Sequence, residues 1–485
     1  MVLILLLVPL LSAVVSLALK HRLVILEHIA MGAAFVELLL ALAIGTGVSL
    51  GPTTVVSGFI GLDALGTIVI LTIAIVGFAA TVYSVGYLRQ EVAKNVIDTQ
   101  RVWQYFILLH LFLMAMFFAV ATTNPILMWI GIEATTLTTV LLFRFYKKAT
   151  TIEAAWKYLI LNSIGLLLGF FGTLLFLTSV PTGSGEGHFA TWQMLLVNAS
   201  QFDPMVAKIA FVFVIVGYGT KAGLVPMHTW KPDAYSKTPT PIAALFSGPL
   251  LNVAILAIVR FKTIVDAAIG SAFSSSLLIL FGVVSIGVAS FIILVSKNYK
   301  RLLAYSSIEH AGVIALGFGF GGLGAFAAVL HMIYHALVKS VLFFSAGNLL
   351  LAYGSAKIRN VKNALSRVPV TSALLCIGCL AITGTPPFGL FLTEATIVSA
   401  GIITHPVATI LVILFFAVIF IGFLKHVTAM VLSESDDATL VTRERSESAW
   451  LTWAPSIFLL GIFIALSIVL PGALRTLILQ ASANL

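Results

Sequence analysis

Charge is what this sequence has least of. Lys, Arg, Asp and Glu together make up 9% of its 485 residues, against about 25% in soluble domains. Hydrophobic residues make up 60%, and the mean hydropathy is +1.12. No water-soluble fold hides that much apolar surface, so soluble enzymes and nucleic-acid binders are excluded. Cysteine is nearly absent. Cys376 and Cys379 are the only two, in the apolar run LLCIGCLAI, and a lone CxxC supplies too few ligands for zinc or an iron–sulfur cluster. They are expected to pack as small apolar side chains. Long polar stretches are also missing. The longest, 181–204 and 433–448, are short enough to be loops, and no glycine-rich phosphate cradle is present. No nucleotide, flavin or cluster is therefore expected on this chain, and no covalent chemistry. The net charge of +9 then reads as basic loops beside a membrane, not as a nucleic-acid footprint.

What is present is a series of long apolar runs. Their length gives about fourteen membrane spans: 2–19, 28–48, 62–86, 103–121, 124–143, 153–179, 206–236 (broken), 240–263, 273–296, 303–320, 322–350, 369–400 (broken), 405–430 and 450–470. Alternation of about ten residues is missing, which favours helices over a β-barrel. The run 2–19 has no basic region before it and no small-residue cleavage site after it, so it reads as a first span and not a signal peptide. Basic residues fall at 20 and 22, 89–101, 144–148, 231–237, 297–301, 357–367 and 425–445. The loops 47–57, 122–124 and 179–204 are nearly free of them. By the positive-inside rule both termini lie on the non-cytoplasmic side. Arg260 and Lys262 are the exception.

One stretch, 212–249 (VFVIVGYGTKAGLVPMHTWKPDAYSKTPTPIAALFSGP), carries most of the argument. It opens as a membrane helix and places Lys221 inside the apolar run. It breaks at Pro226, passes His228, Lys231, Pro232 and Asp233, and turns apolar again after Pro241. A lysine in hydrocarbon costs a few kcal/mol, and a proline inside a helix about 3 kcal/mol. Broken spans are tolerated where they line a watery interior, and they mark ion sites near the midplane. A second break, at Pro386 and Pro387, precedes an in-membrane acid, Glu394. Two interrupted spans in corresponding places suggest inverted repeats: N-terminal helices at 1–100, one repeat at 101–265, another at 266–430, and a C-terminal helix in 431–485.

The ionisable residues within spans are few, and each is a functional candidate. Glu133 sits near the middle of ILMWIGIEATTLTTVLL, where a nearby lysine would make it switchable. Glu153 and Lys157 are spaced as a helical ion pair; alternatively Lys157 faces Glu133 or Lys221. Lys221, beside a break that frees carbonyls and admits water, can load and release a proton. His331, His335 and Lys339 recur at i, i+4, i+8 and share one helical face. Histidine passes protons near neutral pH. A metal is set aside there, because no third ligand is near in sequence. Glu309 and His310 lie deeper than Lys300 and Arg301, which read as membrane-side anchors, and extend the row. His228 joins it from the first break. Asp63, His110 and His426 are expected to be packing or interfacial groups. The whole row predicts a proton relay across a helix bundle.

The stretches WIGIEATTLTT, EAAWKY, GYGTKAGLVPMHTWKPDAYSKTPTP, YKRLLAYSSIEHAG, HALVKSVLFFSAGN and GTPPFGLFLTE resemble the antiporter-like subunits of respiratory complex I and Mrp-type cation/proton antiporters. Within that superfamily the chain looks most like the hydrogenase-4 component F-like subunits of energy-converting group 4 NiFe hydrogenases, such as formate hydrogenlyase. The resemblance implies an all-α polytopic membrane protein of fourteen helices, with two inverted five-helix repeats and broken helices seven and twelve. It implies Glu133 and Lys221 as a coupling pair, Lys339 and the histidines as a central relay, and Glu394 as the exit group. It implies a prokaryotic inner membrane, neighbouring antiporter-like subunits, and soluble partners carrying NiFe and iron–sulfur centres. There are departures. Asn252 stands where many relatives carry a lysine, Lys231 and Tyr235 fall in a segment that more often reads WLPDAH, and little chain follows the last span to form a long lateral helix. Three rivals stay open: an Mrp-type antiporter moving Na⁺ on Thr135/Thr136 and Ser306/Ser307 oxygens, a proton-conducting partner in inorganic-carbon uptake, and a scaffold that has lost conduction.

Overall fold

The fold was obtained as a computed structural model, which describes residues 1–51, 58–143, 145–146, 149–180, 190–433, 447, 449–483 and 485. Parts of the loops 47–57, 144–148, 179–204, 425–445 and 433–448 lie outside the described residues. The chain runs through α1 (Val2–Ala18), α2 (Leu23–Leu50), α3 (Ala64–Ala93), α4 (Thr99–Ala121), α5 (Pro125–Phe143), α6 (Ala149–Thr178) and a short α7 (Trp192–Asn198). Next come α8 (Pro204–Ala222), α9 (Trp230–Lys237), α10 (Thr240–Leu245), a π turn (Phe246–Leu250) and α11 (Leu251–Ile269). Then follow α12 (Ala272–Val295), α13 (Tyr299–Phe320), α14 (Leu323–Tyr353) and the single turn α15 (Ala364–Arg367). The chain finishes with α16 (Pro369–Ile382), α17 (Gly389–Ile402), α18 (Pro406–Val431), α19 (Trp450–Ile468) and α20 (Gly472–Ser482).

In lipid every backbone polar group must be satisfied inside its own segment, which is why apolar runs of this length become helices. Among the described residues twelve helices are long and apolar enough to cross a membrane, with Thr240–Ile269 counted as one. The apolar helix α1 and the pair α16 and α17 are shorter. Together these coincide with the fourteen expected stretches, α16 and α17 being the halves of the second broken one. Two elements depart from expectation. Part of the supposed loop 181–204 is helical, because Thr191 caps α7 by accepting from Met194 N at 3.2 Å. The chain also turns helical again at α20 after the last span.

Polarity is turned inwards. The least apolar of the twelve, α13, is buried over 94% of its membrane window, as is α14, and Thr240–Ile269 is buried throughout. The more apolar α18 is buried over only 28%. These three interior helices pack together, with α14 also against α16 and α17. This is the arrangement expected when lipid is the solvent and titratable side chains must face protein.

The basic residues are sorted less simply than by loop. Arg260 pairs with Asp63 at 3.4 Å and Lys262 bonds with Asp266 four residues on, so both exceptions to the positive-inside rule have a carboxylate beside them. Asp63 also caps α3, accepting from Gly66 N at 2.6 Å. Asp63→Ala is expected to cost about 1–2 kcal/mol, mostly through the lost cap, read as a lower melting temperature in detergent. Lys300, expected as a membrane-side anchor, and Lys231, counted among the basic loop residues, are instead buried. Lys300 Nζ donates to Thr238 O at 3.2 Å, closing the end of α9. Arg301 alone behaves as an anchor, exposed and 2.5 Å from Asp233.

Candidate functional site

The helix carrying Lys221 stops one residue later. Gly223 takes a left-handed conformation, φ 79°, and its N–H and that of Leu224 both return to Gly219 O. Carbonyls at this helix end also accept from α9: Trp230 Nε1 donates at 2.8 Å to Thr220 O, which takes a second bond from Gly223 N at 3.1 Å. Lys231 Nζ donates to Ala222 O at 2.5 Å. A Cβ at Gly223 would overlap the Lys231 side chain, so glycine answers both the backbone conformation and the close approach. The break is thus hydrogen-bonded within the protein interior, as a non-helical segment at membrane depth requires. His228 lies in it, nearly buried, with Nδ1 unpartnered.

Lys221 is 1% exposed. Its Nζ donates to Thr136 Oγ1 at 2.8 Å and to Tyr158 OH at 3.2 Å. Thr136 Oγ1 donates in turn to Glu133 Oε2 at 3.4 Å, while Glu133 Oε1 accepts from Ser163 at 2.8 Å. Glu133 and Lys221 are therefore joined through a hydroxyl and not by a direct ion pair. The Tyr158 branch ends differently. Tyr158 shares a 2.8 Å bond with Thr139, whose hydroxyl reaches the Thr135 carbonyl, so only the Thr136 branch leads to a titratable group.

Lys157 is not brought to this pair. Its side chain is 50% exposed, 2.6 Å from Glu153 and 3.7 Å from Asp233. Of the two alternatives the ion pair holds, because position 157 lies on the outer face of α6.

The second cluster gathers on α13, α14 and α17. The rings of His331 and His335 lie 6.4 Å apart and nearly parallel, as their spacing predicts. His310 sits beside both, at 5.1 and 5.0 Å. The hydrogen bonds set the tautomers. Thr393 Oγ1 donates to Leu390 O at 2.9 Å and accepts from His331 Nδ1–H at 2.8 Å. The lone pair this leaves on His331 Nε2 accepts from His310 Nδ1–H at 2.9 Å. His310 Nε2 then faces Glu309 Oε2 at 3.5 Å, and Glu309 accepts from Ser306 at 3.2 Å. Lys339 Nζ donates to Leu303 O at 3.0 Å. His335 is fully buried with both ring nitrogens unpartnered.

Glu394 reaches the cluster from the second break. Pro386 and Pro387 separate α16 from α17 there, and Gly384 turns with φ 62° against the Glu394 carboxylate. Ligand atoms of His310, His331 and Glu394 lie within 4.8 Å of one another, a grouping able to hold a metal ion. The reason for setting a metal aside, the lack of a third ligand nearby, therefore fails: the carboxylate comes from 63 residues beyond His331 in sequence. Asn252, fully buried on α11, donates to Met332 O at 3.1 Å, beside His331.

Several contributors were not legible beforehand. Ser163 and Thr393 are ordinary hydroxyls in an apolar sequence, and Thr136 drew notice only as a possible Na⁺ ligand, not as a bridge to Lys221. Glu37, buried on α2 with an oxygen 4.0 Å from His110 Nδ1, could have been found, because it is a carboxylate inside a span.

Residues 122–421 match the family described as NADH:quinone oxidoreductase/Mrp antiporter, TM. The chain belongs to that family. Among members of this antiporter-like family, a "Hydrogenase-4 component F homolog" of Methylacidiphilum infernorum is 39% identical over 350 residues, 72% of this chain and 74% of that one. A subunit in the structure of a membrane-bound sulfane sulfur reductase, an archaeal respiratory membrane complex, superimposes with a TM-score of 0.86. It covers 100% of this chain and 97% of the other at 24% identity. A chain of the Mrp complex from Dietzia sp. DQ12-45-1b does so at 0.85, with the same coverage and 20% identity. The fold is therefore shared by a chain of a sulfane sulfur reductase and a chain of an Mrp complex.

Proposed function

We propose that this antiporter-like subunit translocates protons within a redox-driven complex of the group 4 hydrogenase or complex I type. The carrying observation is that both helix breaks and the buried helices α13 and α14 bring titratable side chains into the interior. The proton passes between Glu133 and Lys221 through Thr136, and through Lys339, His335, Glu309, His310 and His331 towards Glu394. His228 lines the first break. The segments 101–265 and 266–430 act as the two repeats. The chain lies in a prokaryotic inner membrane with both termini outside, and NiFe and iron–sulfur centres reside in partner subunits. Protons are favoured over Na⁺ because the interior is lined by amines and imidazoles. Sodium needs several oxygens at one point, and the Thr135/Thr136 and Ser306/Ser307 hydroxyls sit on separate helices and bond to neighbouring protein groups.

Purification through a tag on this chain, with identification of co-purifying subunits and metals, tests the setting. Nickel and iron with soluble redox subunits support it. Apolar antiporter-like subunits without metal point to the Mrp type, and a single zinc-containing partner to carbon uptake. The Thr136 bridge gives a sharper test. Thr136→Val keeps shape but removes the hydroxyl, and is expected to slow proton movement in proteoliposomes by about tenfold or more. Thr136→Ser should restore it; a valine variant as fast as the parent rules out the bridge.

A further inference from the structure

Between the two clusters the row lacks a carrier. Lys221 directs its hydrogen bonds towards α5 and α6, while His335 and Lys339 stand on α14. Asn252, fully buried on α11, has only an amide. It holds Met332 O with its Nδ2 and leaves Oδ1 unpartnered, and it cannot take up a proton.

The fold puts another amine in this region. Lys231 looks like a loop residue in sequence but is 1% exposed. Its Nζ sits 2.5 Å from the carbonyl of Ala222, the neighbour of Lys221, and 5.8 Å from the centre of the Tyr235 ring. The Tyr235 ring packs in turn against Phe343, 5.6 Å between ring centres, one turn along α14 from Lys339. Lys231 and Tyr235 lie four residues apart on α9, with the amine over the ring. The ring face suits a cation, and the Ala222 carbonyl suits the amine whether or not it carries the extra proton, because a neutral amine still has two N–H donors.

We propose that Lys231 carries the proton between Lys221 and the His335–Lys339 pair, the step Asn252 cannot make. This rests on the proton-translocating reading. The proton arrives on the neutral Lys231 amine, gives the ammonium, and leaves towards His335 Nδ1 or Nε2 or a neutral Lys339, restoring the amine.

The test uses the whole complex, purified through this chain, in proteoliposomes with a pH-sensitive dye. Leucine is the residue of the WLPDAH pattern, so K231L is expected to assemble. Arginine can still hold Ala222 O and face Tyr235 but does not give up its proton, so K231R separates carrying a proton from merely closing the break. Both variants are expected to lose proton movement by about tenfold or more at parental yield. A K231L/N252K double variant is expected to regain part of it. Parental-rate movement in K231L or in K231R overturns the assignment. If K221A is inert while K231L and K231R run at the parental rate, only this inference falls. If K221A also runs at the parental rate, the proposed function falls with it.

Discussion

Lys221→Ala is expected to stop proton movement and leave the complex assembled. The two halves of that expectation have separate causes. Among the described residues no carboxylate is in direct contact with the ammonium; it is held by two hydroxyls, Thr136 and Tyr158. Removing a buried charge also removes its desolvation cost, which offsets much of what the lost hydrogen bonds contributed. The hydroxyls are left partly unsatisfied, at about 1–3 kcal/mol. That is tolerable in a bundle where α6 and α8 pack along their length with glycines at the contact (Gly165, Gly169, Gly217). Transport has no such compensation, because the Tyr158 branch ends on a backbone carbonyl. We expect a loss on the order of a hundredfold with an unchanged size-exclusion profile. Lys221→Arg, charged but unable to release its proton, should be nearly as inert. Pumping at the parental rate in Lys221→Ala would sink the relay.

Gly384→Ala should damage the second break in both stability and transport. Its φ of 62° is a left-handed conformation, costing about 1–2 kcal/mol for a residue with a Cβ. The added methyl would also overlap Glu394 Oε2, so the carboxylate must swing away from His310 and His331 or the turn must open. A lower melting temperature together with slower proton movement is the expected result. Gly354→Ala is the control, since it too is left-handed, φ 66°, but has open space around the missing Cβ. It should show the backbone cost without the transport defect. Equal transport in the two variants would mean that Glu394 does not depend on its place against Gly384.

The spans were legible because hydrocarbon thickness imposes a length and backbone satisfaction imposes a helix. The shared face of His331, His335 and Lys339 was legible from helical geometry. Lys231 and Lys300 were misread for one reason. A basic residue near a polar turn looks like a loop or anchor residue, and hydropathy cannot show that α9 is tucked into the bundle. Glu133 and Lys221 stand out in the sequence as ionisable residues within spans, but their link does not, since Thr136, noticed there only as a possible Na⁺ ligand, is a hydroxyl 85 positions from Lys221. Nor does local sequence show that Glu394 meets His331, because that contact depends on how α14 and α17 pack. Arg260 seemed an exception to topology until the fold placed it beside Asp63.

Three interior lysines rest on main-chain oxygens: Lys231 on Ala222, Lys300 on Thr238 and Lys339 on Leu303. A carboxylate partner would grip such an amine strongly when charged and weakly when neutral. A carbonyl is a fixed dipole and accepts from either form. An amine seated this way can change its charge without changing its position. The proton traffic proposed past Lys231 and Lys339 would then need no swinging arm, and its timing would be left to whatever alters the field around stationary side chains.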